Sequence, residues 1–254
     1  MKEREVALAR PDGDLSVPDV SRVQYAHNFI RLAVCEFRFP TLLEFEQECP
    51  LGFQKAMRKQ YPHYERGSNI HLHPSGDQES EARYIFRSLK KDWSVSLRSS
   101  TFSLETKNYE NFEDFLGRVQ WVVEQAVRFI DSDFFTRVGL RYVNMLPVRG
   151  DPTGWLNEDL VKPLTDNVFG NPTKYLQNIS GSTSDGQFNF GHGLEDGNDS
   201  ERSYVLDFDF YREEVKAEDF KKLLCAFNAL NFKLFSWCIG SKASNYLGKA
   251  IKKN

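Results

Sequence analysis

Apolar positions along the chain recur with two different periods, and the switches between them mark the elements. Ile30 to Phe39 is rich in aromatic and aliphatic residues and stops at Pro40, which predicts a strand. Thr41 then predicts the cap of a helix bearing Leu42, Glu44 and Phe45, with a further turn-rich part from Phe53 to Tyr61 and a break or kink at Pro50 and Gly52. A loop rich in Gly, Ser and His is expected over 62–80, followed by strands over 84–89, 93–97 and 101–106. Asn111 caps a strongly amphipathic helix, with Phe112, Phe115, Val119, Val122, Ala126 and Ile130 on one side.

The stretch Phe135-Thr136-Arg137-Val138-Gly139-Leu140-Arg141-Tyr142-Val143-Asn144-Met145-Leu146-Pro147-Val148 carries the most information. It predicts a strand in which Arg137, Gly139 and Arg141 share one face and Val138, Leu140 and Tyr142 the other. Arginine enters an apolar strand where a carboxylate, phosphate or partner receives it. A helix with Trp155, Leu156, Leu160 and Val161 follows, ahead of Pro163. Strands are then expected over 174–180, 186–191 and 204–211. A long helix begins near Glu218 and carries Phe220, Leu223, Leu224, Phe227, Leu230, Leu234, Phe235 and Cys238 at helical spacing, running on to Tyr246.

Both halves thus show the order strand, helix, three strands, helix. The expected fold class is α+β, built from two similar units, each an antiparallel sheet covered by helices on one face. The expected division is a flexible N-terminal arm over 1–25, a first unit over 26–134, a second over 135–247 and a basic tail over 248–254. The order is similar to that of TATA-binding-like and helix-grip folds, a likeness of architecture that assigns no function.

Composition narrows the picture. With 40% hydrophobic and 27% charged residues, the 254-residue chain can bury a sizeable core, and 21 Phe supply much of it. A net charge of −3 excludes a polybasic nucleic-acid or membrane binder. The charged start Met1-Lys2-Glu3-Arg4-Glu5 leads into no apolar region, and no apolar run reaches transmembrane length. A cytoplasmic protein without a membrane role is expected. Cys35, Cys49, Cys225 and Cys238 have no Cys-x-x-Cys spacing and are expected to be buried free thiols.

Candidate chemistry centres on four side chains. Asp207 and Asp209 alternate with Leu206, Phe208 and Phe210, so both carboxylates lie on one strand face. They can hold a divalent cation if a third acid such as Glu213 or Glu214 converges, or accept the guanidinium groups of Arg137 and Arg141, the favoured use. His63, His71 and His73 suggest zinc only if a strand aligns them, and His192 between two glycines suggests an acid–base group. No Gly-x-Ser-x-Gly, Walker or Gly-x-Gly-x-x-Gly motif occurs. The segment 195–202 is expected to be a mobile loop. On the polar strand faces, Ser94, Ser96, Arg98, Thr101, Ser103, Glu105 and Lys107 contrast with Gln187, Asn189, Asp207 and Asp209. That change of sign suits pairing or a protein partner better than a phosphate backbone.

The block Arg137-Val138-Gly139-Leu140-Arg141-Tyr142-Val143-Asn144 resembles the Arg-x-Gly-Leu-Arg-Tyr-x-Asn signature of a sporadically distributed, uncharacterised family of bacterial and archaeal proteins. Tyr204 to Asp209 and Leu234 to Trp237 resemble its C-terminal half. The family's patchy distribution implies mobile genes, such as antiviral (antiphage) defence or toxin-related loci. The leading expectation is a non-enzymatic interaction or recognition subunit with a protein partner from a neighbouring gene. Arg137, Arg141, Asp207 and Asp209 are its polar centre, and no metal or cofactor is called for. The alternatives are a metal-dependent hydrolase or nuclease using Asp207 and Asp209, and nucleic-acid binding on the open sheet face.

Overall fold

The computed structural model describes residues 15–248, apart from 22, 48, 73–77, 171, 173 and 197–201. The strands are β1 (Ile30–Arg38), β2 (His63–Leu72), β3 (Gln78–Arg87), β4 (Trp93–Leu97), β5 (Thr101–Thr106), β6 (Phe134–Leu146), β7 (Tyr175–Thr183), β8 (Gly186–Asp196) and β9 (Arg202–Lys216). The helices are α1 (Glu44–Gln47), α2 (Leu51–Met57), α3 (Phe112–Ile130), α4 (Glu158–Thr165), α5 (Phe220–Cys238) and α6 (Ser241–Leu247).

The fold is α+β, with one continuous antiparallel sheet where two were expected. Its order is β2-β3-β4-β5-β1-β6-β9-β8-β7. The two sheets merge because β1 and β6 pair along their length, from Val34 opposite Arg141 to Arg38 opposite Arg137. Helix α3 lies over β5, α5 lies over β6 and β9, and the two helices touch.

Strand alternation decides what meets those helices. Ala33, Cys35 and Phe37 of β1, Leu140 and Tyr142 of β6, and Leu206, Phe208 and Phe210 of β9 are buried toward them. Phe37 is the hub at the centre. It stacks on Phe102 at 4.8 Å and meets Phe135 and Phe220 edge-on at 4.9 and 5.7 Å. Helix α3 starts where expected, with the Asn111 side chain accepting from the Asp114 N–H at 2.8 Å.

Several expected elements differ. The loop placed over 62–80 is largely the β2–β3 hairpin, with Tyr64 opposite Phe86 and Glu65 opposite Ile85; His73 lies outside the described residues. β2 is an edge strand whose residues 63–68 are mostly exposed, so that stretch carries no alternation to read. The first half therefore has four strands after its first helical segment. That segment splits into α1 and α2, and starts at Glu44 rather than behind Thr41.

Trp155 and Leu156 precede α4, while Pro163 lies inside it. The long closing helix ends at Cys238, because Gly240 is held against another backbone segment. The Gly240 N–H donates to the Trp155 carbonyl at 2.9 Å, and a Cβ there would come within 2.4 Å of the Gly154 carbonyl oxygen. All four thiols are free. Cys35 and Cys238 are buried, but Cys49 and Cys225 are exposed, so burial was expected for two thiols that face solvent. Most of the expected arm and tail, and most of the loop over 195–202, lie outside the described residues.

Candidate functional site

Register brings the four polar residues together on the helix-free face. Gly139 lies opposite Glu36 on β1 and opposite Tyr211 on β9, and Arg141 lies opposite Asp209. Arg137 bends along its own strand across Gly139. Its Nη1 donates to Glu36 Oε1 at 3.1 Å and its Nη2 to Asp209 Oδ2 at 2.8 Å. The guanidinium lies 4.2 Å from the centroid of the Tyr211 ring, a cation–π contact. Gly139 makes this possible, since a Cβ there would sit 2.9 Å from Arg137 Nη1. Arg141 donates from Nε and Nη2 to both oxygens of Asp207, at 2.8 and 2.5 Å, the bidentate geometry of a strong pair.

The network continues into the first half. Glu36 also accepts from Arg38 Nε at 2.9 Å, and Arg98 lies 3.9 Å from Glu36 and 3.7 Å from Glu81. Among the described residues, four arginines thus meet four carboxylates. Burial raises the Asp209 carboxyl above its ordinary value, although Arg137 and Arg141 pull the other way. The hydrogen bonds from Arg141 to Asp207 raise the guanidinium further above its already high value.

Among the described residues each of these arginines lies against a carboxylate. Both Asp207 oxygens, and Oδ2 of Asp209, accept from arginines. Among the described residues no group of three His, Cys, Asp or Glu side chains could hold a metal ion. Farther out on the same face, Ser94 Oγ donates to Glu105 at 3.1 Å and Ser96 Oγ bonds Ser103 Oγ at 2.9 Å.

Of the three histidines considered for zinc, His73 lies outside the described residues. His63 opens β2, and His71 stands opposite Glu79 in the hairpin. His192 was expected as an acid–base group, but it points into the core, with only 1% of its surface exposed. Its Nδ1 bonds Tyr204 Oη at 2.7 Å, and its ring stacks on Phe190 at 4.9 Å. Burial drives the imidazole down to about 4 and pushes the Tyr204 hydroxyl up. It is a neutral core residue, out of reach of a substrate.

Sequence reasoning missed the other outstanding feature, the β7 edge. Tyr175-Leu176-Gln177-Asn178-Ile179-Ser180-Gly181-Ser182-Thr183 contains no charge and no proline. Residues 176–180 are all exposed, so both faces of the strand are open; Leu176 is 56% and Ile179 46% exposed. One side of its backbone pairs with β8. Among the described residues no backbone hydrogen bond reaches the other side. The opposite edge, β2, is blunted by Glu65 and Arg66. A nine-residue strand without Asp, Glu, Lys, Arg or Pro was the signal available in the sequence.

Comparison with protein-family models and with curated proteins returned no match. Among the described residues, no helix is long and apolar enough to cross a membrane.

Proposed function

We propose that the chain is a non-enzymatic recognition subunit that receives an extended segment of a protein partner along β7. The observation that carries this is the unpaired, charge-free and proline-free edge. Natural sheets protect long edges with charges, prolines or covering segments, and this strand has none among the described residues. Strand addition would satisfy the free backbone groups. Leu176 and Ile179, on opposite faces, would give purchase to alternate side chains of the incoming segment.

The neutral polar centre supports the same view. Its arginines and carboxylates are engaged with each other, so the open face offers a mixed hydrogen-bonding surface rather than a charged track. The family resemblance adds a neighbouring gene as the source of the partner, and antiphage defence as the setting. The proposal includes a duplicated origin for 26–134 and 135–247. In each half the first strand pairs with the last, and the two first strands, β1 and β6, meet in the middle.

Co-expression with the products of adjacent genes, followed by light scattering, tests the subunit role. Ile179→Lys places a charge on the edge at an exposed position and should release the companion without unfolding the chain. A complex that Ile179→Lys leaves intact would contradict edge binding. A change in mass showing only self-association would replace the heterologous partner with a second copy.

A further inference from the structure

The two faces of the β7 edge are built differently. Strand pairing sets Ile179 opposite Phe190 and Gly181 opposite Phe188. Phe190 in turn lies opposite Phe208, and Phe188 opposite Phe210, whose ring meets Phe227 of α5 at 6.3 Å. All of these therefore share the helix side of the sheet. Two apolar rows cross β9 and β8 there and run out at β7. Phe208 and Phe190 stack at 4.9 Å, and the Phe210 and Phe188 rings lie 5.6 Å apart.

The first row ends in Ile179, which is 46% exposed. The second has no side chain on β7, because its last position is Gly181. The Phe188 ring takes that place, since a Cβ on Gly181 would come within 2.7 Å of its Cε1 and Cζ. Glycine weakens a strand interior; here it lets a phenylalanine of the second strand lie over the edge strand. Phe188 is only partly buried there. Gln177 and Thr183 flank the pair on the same side, so the apolar stretch is confined to two rows.

On the helix-free face the lean is reversed. Ser180 Oγ donates to Asn189 Oδ1 at 2.8 Å, and Asn178 Oδ1 lies 3.0 Å from where a Cβ on Gly191 would stand, so both side chains turn inward onto β8. An incoming strand thus meets polar surface on that face and the open ends of two apolar rows on the other.

We infer that the segment received along β7 alternates, with two bulky apolar side chains two positions apart on the helix side and an uncharged polar residue between them. One apolar side chain packs on Ile179 and the other on the Phe188 ring above Gly181, so each row gains one strand. Such cross-strand pairs stabilise a sheet and set its register. The residue between them faces Ser180, and β7 holds no charge that could pair with one. The inference rests on strand addition at β7 and specifies the chemistry of what is added.

NMR titration of the isotope-labelled full chain with two capped peptides of one composition tests it. In the first, Val and Phe stand two apart among Thr, Gln and Ser; in the second they are adjacent, which throws them onto opposite faces. The alternating peptide should bind at least about tenfold more tightly, shift the amides of 175–183 and move the Phe188 ring resonances. Phe188→Ala should bring the two peptides to within about twofold of each other, whereas Asn178→Thr, on the other face, should keep the preference. Equal binding of both peptides at β7, or an alternating peptide that leaves the Phe188 ring resonances of the unmodified chain unmoved, would overturn the inference while strand addition stands. Binding of neither peptide, or binding away from 175–183, would overturn strand addition as well.

Discussion

Arg137 and Arg141 share one strand face, but they stand in different surroundings. The Arg137 side chain is 13% exposed and bridges two carboxylates, whereas Arg141 is 48% exposed and holds one. Removing a partly buried bridge strands Glu36 and Asp209 with less compensation, so Arg137→Met should cost about 2–4 kcal/mol. Arg141→Met should cost less than about 1 kcal/mol, because solvent already screens that pair. Urea unfolding of the two variants measures the difference; equal losses would contradict the assigned roles. Much of this centre was legible in the sequence. Alternation placed Arg137 and Arg141 together, and Asp207 with Asp209. Glu36 and Tyr211 were not foreseen, because strand order and register, not the pattern within one strand, bring them beside Gly139.

Among the elements, two glycines have opposite reasons to exist. Gly117 lies exposed inside α3, and a Cβ added there would meet no atom within 4 Å, so Gly117→Ala should stabilise by about 0.5–1 kcal/mol. Gly240 closes the α5–α6 break against the Gly154 backbone, and Gly240→Ala should cost about 1–3 kcal/mol through overpacking. Thermal melts of the pair test both; a stable Gly240→Ala variant would mean that the break is not held by that contact. Elements with one buried face, such as α3 and β6, announced themselves by periodicity. The β2 edge did not, because its residues 63–68 are mostly exposed, and α5 was read too long because residues after Gly240 resume helical spacing.

At the scale of the whole molecule, stability should depend on pH through a residue far from the polar centre. His192 titrates near 4 in the folded chain, against about 6.5 when unfolded, so the unfolded state binds more protons between those values. Stability is therefore full above about pH 6.5 and falls toward pH 4, by up to about 3 kcal/mol from this group. Asp209, whose carboxyl is raised, works in the opposite direction as pH falls, but equally so in a His192→Gln variant. The difference between wild type and His192→Gln in chemical denaturation across that range isolates the histidine. Parallel profiles would contradict its buried neutral state. The same sheet that seals His192 on one side leaves β7 unpaired at its edge, and that edge carries the functional proposal. Hydrogen–deuterium exchange of the chain, alone and in complex with its co-expressed neighbouring-gene partner, tests it most directly. Slowed exchange across residues 175–183, lost with Ile179→Lys, is the predicted result; a complex that leaves those amides exchanging at their free rate would contradict it.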